Sequence, residues 1–269
     1  MTVRSPAVAG LFYPADAAEL SASVDRMLAE ASVPDVAPGV PLRALVVPHA
    51  GHRFSGPTAA TGYVQLDIGS VRTVVLLGPT HRVGIRGIAD AGFDAFNTPL
   101  GDVRVDRDLV ARALTHPAVI TAPRVHAEEH SLEVHLPFLQ RQLGDFALVP
   151  LAVGDVPPAT VAEVIALFDG DPQTVILVSS DLSHFEAYES ARAHDAETLQ
   201  RIVALDATLQ PTDACGVRPL NGLLTRARAK HWQPSLVSAC NSGDTPDGDL
   251  RRVVGYATVA FHAPPASSD

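Results

Sequence analysis

The sequence predicts an α/β fold: three layers, with helices on both faces of a central, largely parallel sheet. Three observations predict it. Strand-like runs recur along the 269 residues. Most are followed by a loop and a helix-patterned segment. The runs are continuously apolar rather than alternating, as strands buried on both faces require. Strands that alternate with helices in this way are the pattern of βαβ units around a parallel sheet.

Taken in order, a first helix is expected over Asp16–Ser32, with Asp16 as its N-cap. Leu42–Pro48 and Thr73–Gly78 are the first two strands. Asp106 caps a helix running to Leu114, and another follows over Ser131–Leu143. Phe146–Val153 is the third strand, Pro158–Phe168 a helix, and Thr174–Ser180 the fourth strand. Glu189–Leu205 is a long helix with one polar face, and Pro219–Lys230 is the last, its Arg226, Arg228 and Lys230 forming a solvated final turn. Val253–Phe261 is a late fifth strand. The Pro- and Gly-rich segments 33–41 and 243–248 read as surface loops, and 264–269 as a disordered tail. No internal repeat interrupts the pattern, so a single domain is expected over 1–262, with 263–269 outside it.

Composition narrows the function. Apolar residues make up 46% of the chain, enough for one substantial core. Thirty acidic residues against twenty Lys and Arg leave a net charge of −10. That balance argues against bulk binding to nucleic acid or an anionic membrane, both of which need basic clusters. Two cysteines, Cys215 and Cys240, cannot make a disulfide framework. The N-terminus opens no apolar signal segment, and no apolar run is long enough to span a bilayer, so the cytoplasm is the expected compartment.

Chemistry concentrates where strands end. The first strand runs into Pro48-His49-Ala50-Gly51-His52, the second into Pro79-Thr80-His81, and the fourth into Asp181-Leu182-Ser183-His184. Each places a histidine just past the carboxyl end of a strand, the edge at which open α/β sheets bind ligands. If the three strands are neighbours, the imidazoles converge. Neutral imidazoles together with a carboxylate suit Fe, Zn or Cu and leave positions open for substrate.

Two further segments carry polar residues. In His126-Ala-Glu-Glu129-His130-Ser-Leu-Glu133-Val-His135, the spacing lets His126 and His130 share a helical face, but the Glu that follows the first His in zinc proteases is missing. These residues either cap and pair charges at a helix start or wall the crevice and contact substrate through Glu129, His130 and His135. The segment Ser238–Thr245, with Cys240 and Asp244, reads as a turn-rich loop before the final strand.

An ordered set of motifs resembles the Memo family, the bacterial AmmeMemoRadiSam system protein B. It comprises Arg4-Ser-Pro-Ala-Val-Ala-Gly-Leu-Phe-Tyr-Pro14, Val47–Gly51, Leu77–His81, Asn97–Gly101, Glu129–Pro137, Val178–His184, Asn241–Asp244 and Val254–Ala257. The resemblance implies a fold like that of class III extradiol dioxygenases, which hold non-haem Fe(II) with two His and a Glu. Carried onto this chain, His49 and His81 match the histidine ligands, His184 the acid–base histidine, and Asp181 its nearby carboxylate. The animal Memo protein has a Cys as third ligand in the loop before the last strand. That position falls near Asp244, which is the expected ligand here; water and Cys240 are the competitors.

The resemblance implies a metal-dependent, dioxygenase-like oxidoreductase with Fe(II), or with Cu or Zn. Its substrate would be an unknown small molecule or protein, with a radical-SAM protein as a possible partner. Two other classes compete: a peptide- or phosphate-binding module using the same cleft, and a metal-dependent hydrolase, since an open metal position can activate water. Fold alone does not choose among them.

Overall fold

The computed structural model describes residues 1–32 and 40–264. The loop expected over 33–41 and the tail expected over 264–269 lie almost wholly outside the described residues.

The elements follow in chain order. The short strand β1 (Val3–Arg4) precedes α1 (Ala17–Glu30), β2 (Leu42–Val47), α2 (His52–Tyr63) and β3 (Thr73–Pro79). Short strands β4 (Ile88–Asp90), β5 (Ala95–Thr98) and β6 (Gly101–Arg104) lead to α3 (Arg107–Ala113), β7 (Val119–Thr121) and α4 (Pro123–His126). After a 3₁₀ turn at Glu133–His135 come α5 (Leu136–Leu143), β8 (Ala147–Val153), α6 (Pro158–Ala166), β9 (Thr174–Ser179) and β10 (His184–Glu186). The chain continues through α7 (Tyr188–Val203), α8 (Val217–Ala229), β11 (Gln233–Asn241), a second 3₁₀ turn at Ser242–Asp244, and β12 (Val253–His262).

The main sheet has the order β10-β12-β2-β9-β3-β8-β4-β7, with β11 also paired to β12. Its centre, β2-β9-β3-β8, is parallel throughout, as the apolar runs predict. The flanks turn antiparallel, where β12 joins β2 and β4 joins β8. Every residue of β3, β8 and β9 is buried, so these strands are covered on both faces. Helices α1, α2 and α5 pack together as one layer, and α6 packs on α8, which lies against β3 and β9. A small sheet, β1-β5-β6, stands beside the main one. Among the described residues, no helix is long and apolar enough to cross a membrane.

Local chemistry sets the helix ends. The Asp16 carboxylate accepts from the N–H of Glu19, and Asp106 caps α3 through the N–H groups of Asp108 and Leu109. The helix expected from Ser131 begins only at Leu136, because Pro137 lacks an N–H and is tolerated only in the first turn. Helix α7 stops at Val203, two residues before Leu205 enters the left-handed region at φ 57°. The segment expected to be a loop from Ser238 is instead strand as far as Asn241.

A buried ion pair ties the N-terminus to the middle of the chain. Arg4 is 2% exposed and donates to Glu133 Oε2 at 2.7 Å, and to the carbonyls of His126 and Glu129 at 2.6 Å each. Glu133 is fully buried and also accepts from the N–H of Ala7 and Val8 and the Tyr13 hydroxyl. Every lone pair direction of this carboxylate is used, which is the condition for tolerating a buried charge. Glu133→Gln leaves Arg4 buried without its counter-charge. We expect it to lower stability by about 3–5 kcal/mol, read as a lower urea midpoint; an unchanged midpoint would show that the pair holds nothing.

Candidate metal centre

The topology decides where the strand-end histidines meet. Strand β9 lies between β2 and β3, with Val47 opposite Ser179 and Leu77 opposite Val178. The residues that follow the three strands therefore emerge side by side. His49, His81, Asp181 and His184 all line one cleft of about 610 Å³ at this edge, joined by His130. The rings of His49 and His81 have centroids 5.1 Å apart, those of His81 and His130 4.7 Å, and those of His49 and His130 5.7 Å.

Donor atoms of His49, His81 and His130 all lie within 4.8 Å of one another. A second group, formed by His49, Asp181 and Cys215, meets the same limit. The electrostatics suit a cation-binding site in its neutral form. Burial, then the neighbouring imidazoles, lowers the pKa of His49 well below its usual value. Burial likewise lowers His130 to about 4. Both rings are thus neutral at physiological pH and offer lone pairs.

Glu129 holds the site from behind. It is 2% exposed and is absent from the cleft lining. Its Oε1 lies 2.9 Å from His81 Nδ1, and the carboxylate also accepts the backbone N–H groups of His81, His130 and Ser131. Burial pushes its pKa up, but the His81 ring and these N–H groups outweigh burial and bring it to about 2. With Nδ1 paired to the carboxylate, His81 presents Nε2 outward, the usual way a carboxylate orients a ligating imidazole. Gly78 makes this possible: a Cβ there would lie 2.8 Å from the Leu132 side chain and 2.9 Å from Ser131 Oγ. A larger residue there would have to displace the Leu132 and Ser131 side chains where the 129–132 segment closes on the end of β3.

Asp181 is 4% exposed and accepts the N–H of His49 at 2.7 Å. Burial raises its pKa to about 7. The carboxylate thus braces the His49 backbone, whereas the resemblance pairs it with His184. His184 sits at the mouth, with Nδ1 donating to the carbonyl of Leu182 at 2.8 Å. Its Nε2 is therefore the free base, and partial desolvation by the cleft wall lowers its pKa. Three exposed arginines, Arg53, Arg82 and Arg252, line the cleft together with Asp247 and Asp249. Asp249 is paired with Arg251, while Arg53 and Arg252 lie over the rings of Phe54 and Phe185.

Other expected site residues lie elsewhere. Asp244 does not line the cleft: Oδ1 accepts the Tyr188 hydroxyl at 2.6 Å and Oδ2 the N–H of Asn241 at 2.8 Å. Asn241 and Asp244 close a reciprocal capping box over the 3₁₀ turn, which consumes the carboxylate. Cys240 faces Thr58 Oγ1 at 2.9 Å and lines a separate depression with Asp244. His135, expected to touch substrate, is 1% exposed, bonds the Tyr63 hydroxyl through Nδ1 and does not line the cleft. His126 ends α4 and bonds the carbonyl of Ala89 at 2.9 Å, so it shares no helical face with His130. It is His130, expected as a substrate contact, that joins the two histidines.

A family model described as Memo-like protein matches residues 4–260. The chain belongs to the Memo family. It is 36% identical over 279 residues to a MEMO1 family protein of Methanopyrus kandleri, covering 96% of this chain and 98% of the relative. It is 38% identical to one from Ignicoccus hospitalis, over 98% and 100% of the two chains, and 35% identical to one from Aquifex aeolicus, over 97% and 100%. The family match spans every motif from Arg4 to Ala257, and with it the donors His49, His81 and His130.

Two members of the centre escape the reading of strand ends. His130 follows no strand; its nearest signal is a Glu-His-Ser run, which places a carboxylate beside an imidazole. Cys215 stands in the connection before α8, where only the pair Cys215-Gly216 marks a tight approach.

Proposed function

We propose that this Memo-family protein is a metal-dependent, dioxygenase-like oxidoreductase that holds Fe(II), or alternatively Cu or Zn, through His49, His81 and His130. The observation that carries this reading is the convergence of the three imidazoles' donor atoms within 4.8 Å inside the cleft. The residues fit such an ion. Among the described residues the buried His130 Nδ1 has no hydrogen-bond partner, Glu129 Oε1 standing 3.5 Å away, and His81 is oriented by a carboxylate that is itself satisfied. Fe or Cu held there would supply a redox-active centre with open positions, whereas Zn, which has no redox chemistry, would supply only a Lewis acid.

The chain's own residues do the rest. Glu129 fixes the His81 ring, and Asp181 fixes the backbone that carries His49. His184 offers an unprotonated Nε2 at neutral pH and takes or returns a proton at that atom. Leu11, Phe12 and Phe54 give the cleft an apolar wall. A small molecule, or a group presented by a partner such as a radical-SAM protein, could enter from the open side.

The test is anaerobic loading with Fe(II), metal analysis, and oxygen uptake with catechols and candidate partner proteins. His184→Ala should retain the metal and lose turnover. If it lost the metal as readily as the ligand variants, the division of roles would be wrong. The cleft arginines favour a second reading, in which the cleft binds a phosphate or acidic peptide. Phosphate binding by the chelator-treated protein, without oxygen uptake on any substrate, would favour that reading over the first.

A further inference from the structure

The main sheet has two unlike edges. On one side β7 is only three residues long, and a short edge strand offers little to pair with. On the other side β11 runs for nine residues and pairs with β12 alone. Among the described residues, no strand covers its outer side. Edges of this length are usually blunted by charge, yet none of the residues from Gln233 to Asn241 is charged. Pro234 has no N–H, and the register shifts between Leu236 and Ser238. The stretch open to pairing is therefore short, running from Ser235 to Cys240, and a neighbouring surface must add to it.

Helix α7 supplies that surface. It lies along β11, and between them is a hollow of about 520 Å³ lined by Ala196, Leu199, Gln200, Val203, Ala204 and Leu236. No charged residue lines it. Val203 and Leu236 are each 42% exposed, an unusual state for two large aliphatic side chains beside an open strand edge. The chain carries a net charge of −10, so two copies repel over most of their surfaces. This strip is where they can meet without opposing like charges. None of its residues lines the metal cleft.

We propose that the strip joins two copies of this chain: β11 pairs antiparallel with the β11 of a second copy, and the α7 faces around Val203 and Leu236 close on each other. A strand edge is its own antiparallel complement. A two-fold axis perpendicular to the sheet puts both α7 helices on one face, so each copy brings a projecting Leu236 and a hollow to the same contact, as an isologous interface requires. A nine-residue strand spans about 30 Å, and the strand with its helix is roughly 20 Å wide. Each copy would bury about 600 Å², or about 1,200 Å² in all, which reaches the lower end of stable specific interfaces.

The test is sedimentation velocity over a range of chain concentrations up to about 100 μM, with amide hydrogen exchange on the same samples. We expect a dimer in the wild-type protein, and slower exchange of the Ser235–Cys240 amides as the concentration rises. Leu236→Lys and Val203→Lys set like charges against each other near the axis and should weaken the dimer at least about tenfold. Both positions are exposed, so neither variant removes a core contact. Ile120→Lys, on the opposite edge at β7, should leave the dimer intact. A wild-type protein that stays monomeric throughout the range would overturn the proposal. So would a dimer that both lysines at the strip leave unchanged, or one that Ile120→Lys dissociates as readily as they do.

Discussion

His49→Ala should leave the protein unable to retain a divalent ion, with affinity reduced by more than about 100-fold. The bound is set by comparison: losing a partner that merely supports a ligand costs roughly 10–100-fold, and losing the ligand itself costs more. His49 is the donor common to both groups at the centre, and its lone pair is aimed by the Ser179 hydroxyl behind it. Glu129→Gln should fall in the 10–100-fold range, because an amide still contacts His81 but no longer holds its hydrogen with a full charge. Asp244→Asn should bind as the wild type does, since its carboxylate serves Tyr188 and Asn241. Calorimetric titration with Fe(II) under anaerobic conditions ranks the four proteins. Weaker binding in Asp244→Asn than in Glu129→Gln would return the ligand to the 3₁₀ turn and refute this assignment.

The protein treated with chelator should unfold cooperatively in mild acid, between about pH 6 and pH 4. Burial lowers His49 well below 6.5, His52, His126 and His130 to about 4, and His135 to about 3. Below pH 6.5 the unfolded chain takes up protons on these five rings and the folded chain does not. Their stabilisation is therefore complete above 6.5 and is lost as the pH falls. Asp181 works the other way. Burial raises it from 3.8 to about 7, so the folded state holds a proton there that the unfolded state releases, which offsets one histidine. A net of about four protons gives a slope of roughly 5 kcal/mol per pH unit, against a total stability of about 5–15 kcal/mol for a typical domain. Urea midpoints measured at intervals from pH 7.5 downward would show the fall. A midpoint flat to pH 5 would mean that the buried rings take up protons in the folded state.

The parts of this molecule that were legible in its sequence are those whose physics is local. Strands β2, β3, β8 and β9 announce themselves because burial on both faces demands uninterrupted apolar residues. The helix caps Asp16 and Asp106 are visible for the same reason, since a cap acts within three residues. Helix α2 is hidden by Gly56, Pro57 and Gly62, which are poor helix formers; tertiary packing overrides them, and a Cβ at Gly62 would lie 3.0 Å from Thr258. Strand β11 is an exposed edge with a mixed composition, so it reads as loop.

The site divides along the same line. The meeting of His49, His81 and His184 in one cleft was legible because a residue just past a parallel strand has a known destination. Asp244 was misplaced because nothing local distinguishes a carboxylate that closes its own turn from one that reaches a metal. His130 and Cys215 reach the centre from connecting segments. Their placement depends on which strands are neighbours, and periodicity does not encode that.

One consequence follows for how the protein is made. The partners that aim and brace His49 are Ser179, Asp181 and Cys215, all more than a hundred residues downstream. The Arg4 that anchors the segment next to His130 waits for Glu133. While the chain is still leaving the ribosome, the first histidines are already synthesised but have no donor cluster to join. The centre comes into being only when β9 and the Cys215 segment have emerged and taken their places beside β2. The arrangement around His49 is therefore a late product of synthesis, complete only when the chain through Cys215 is free to fold.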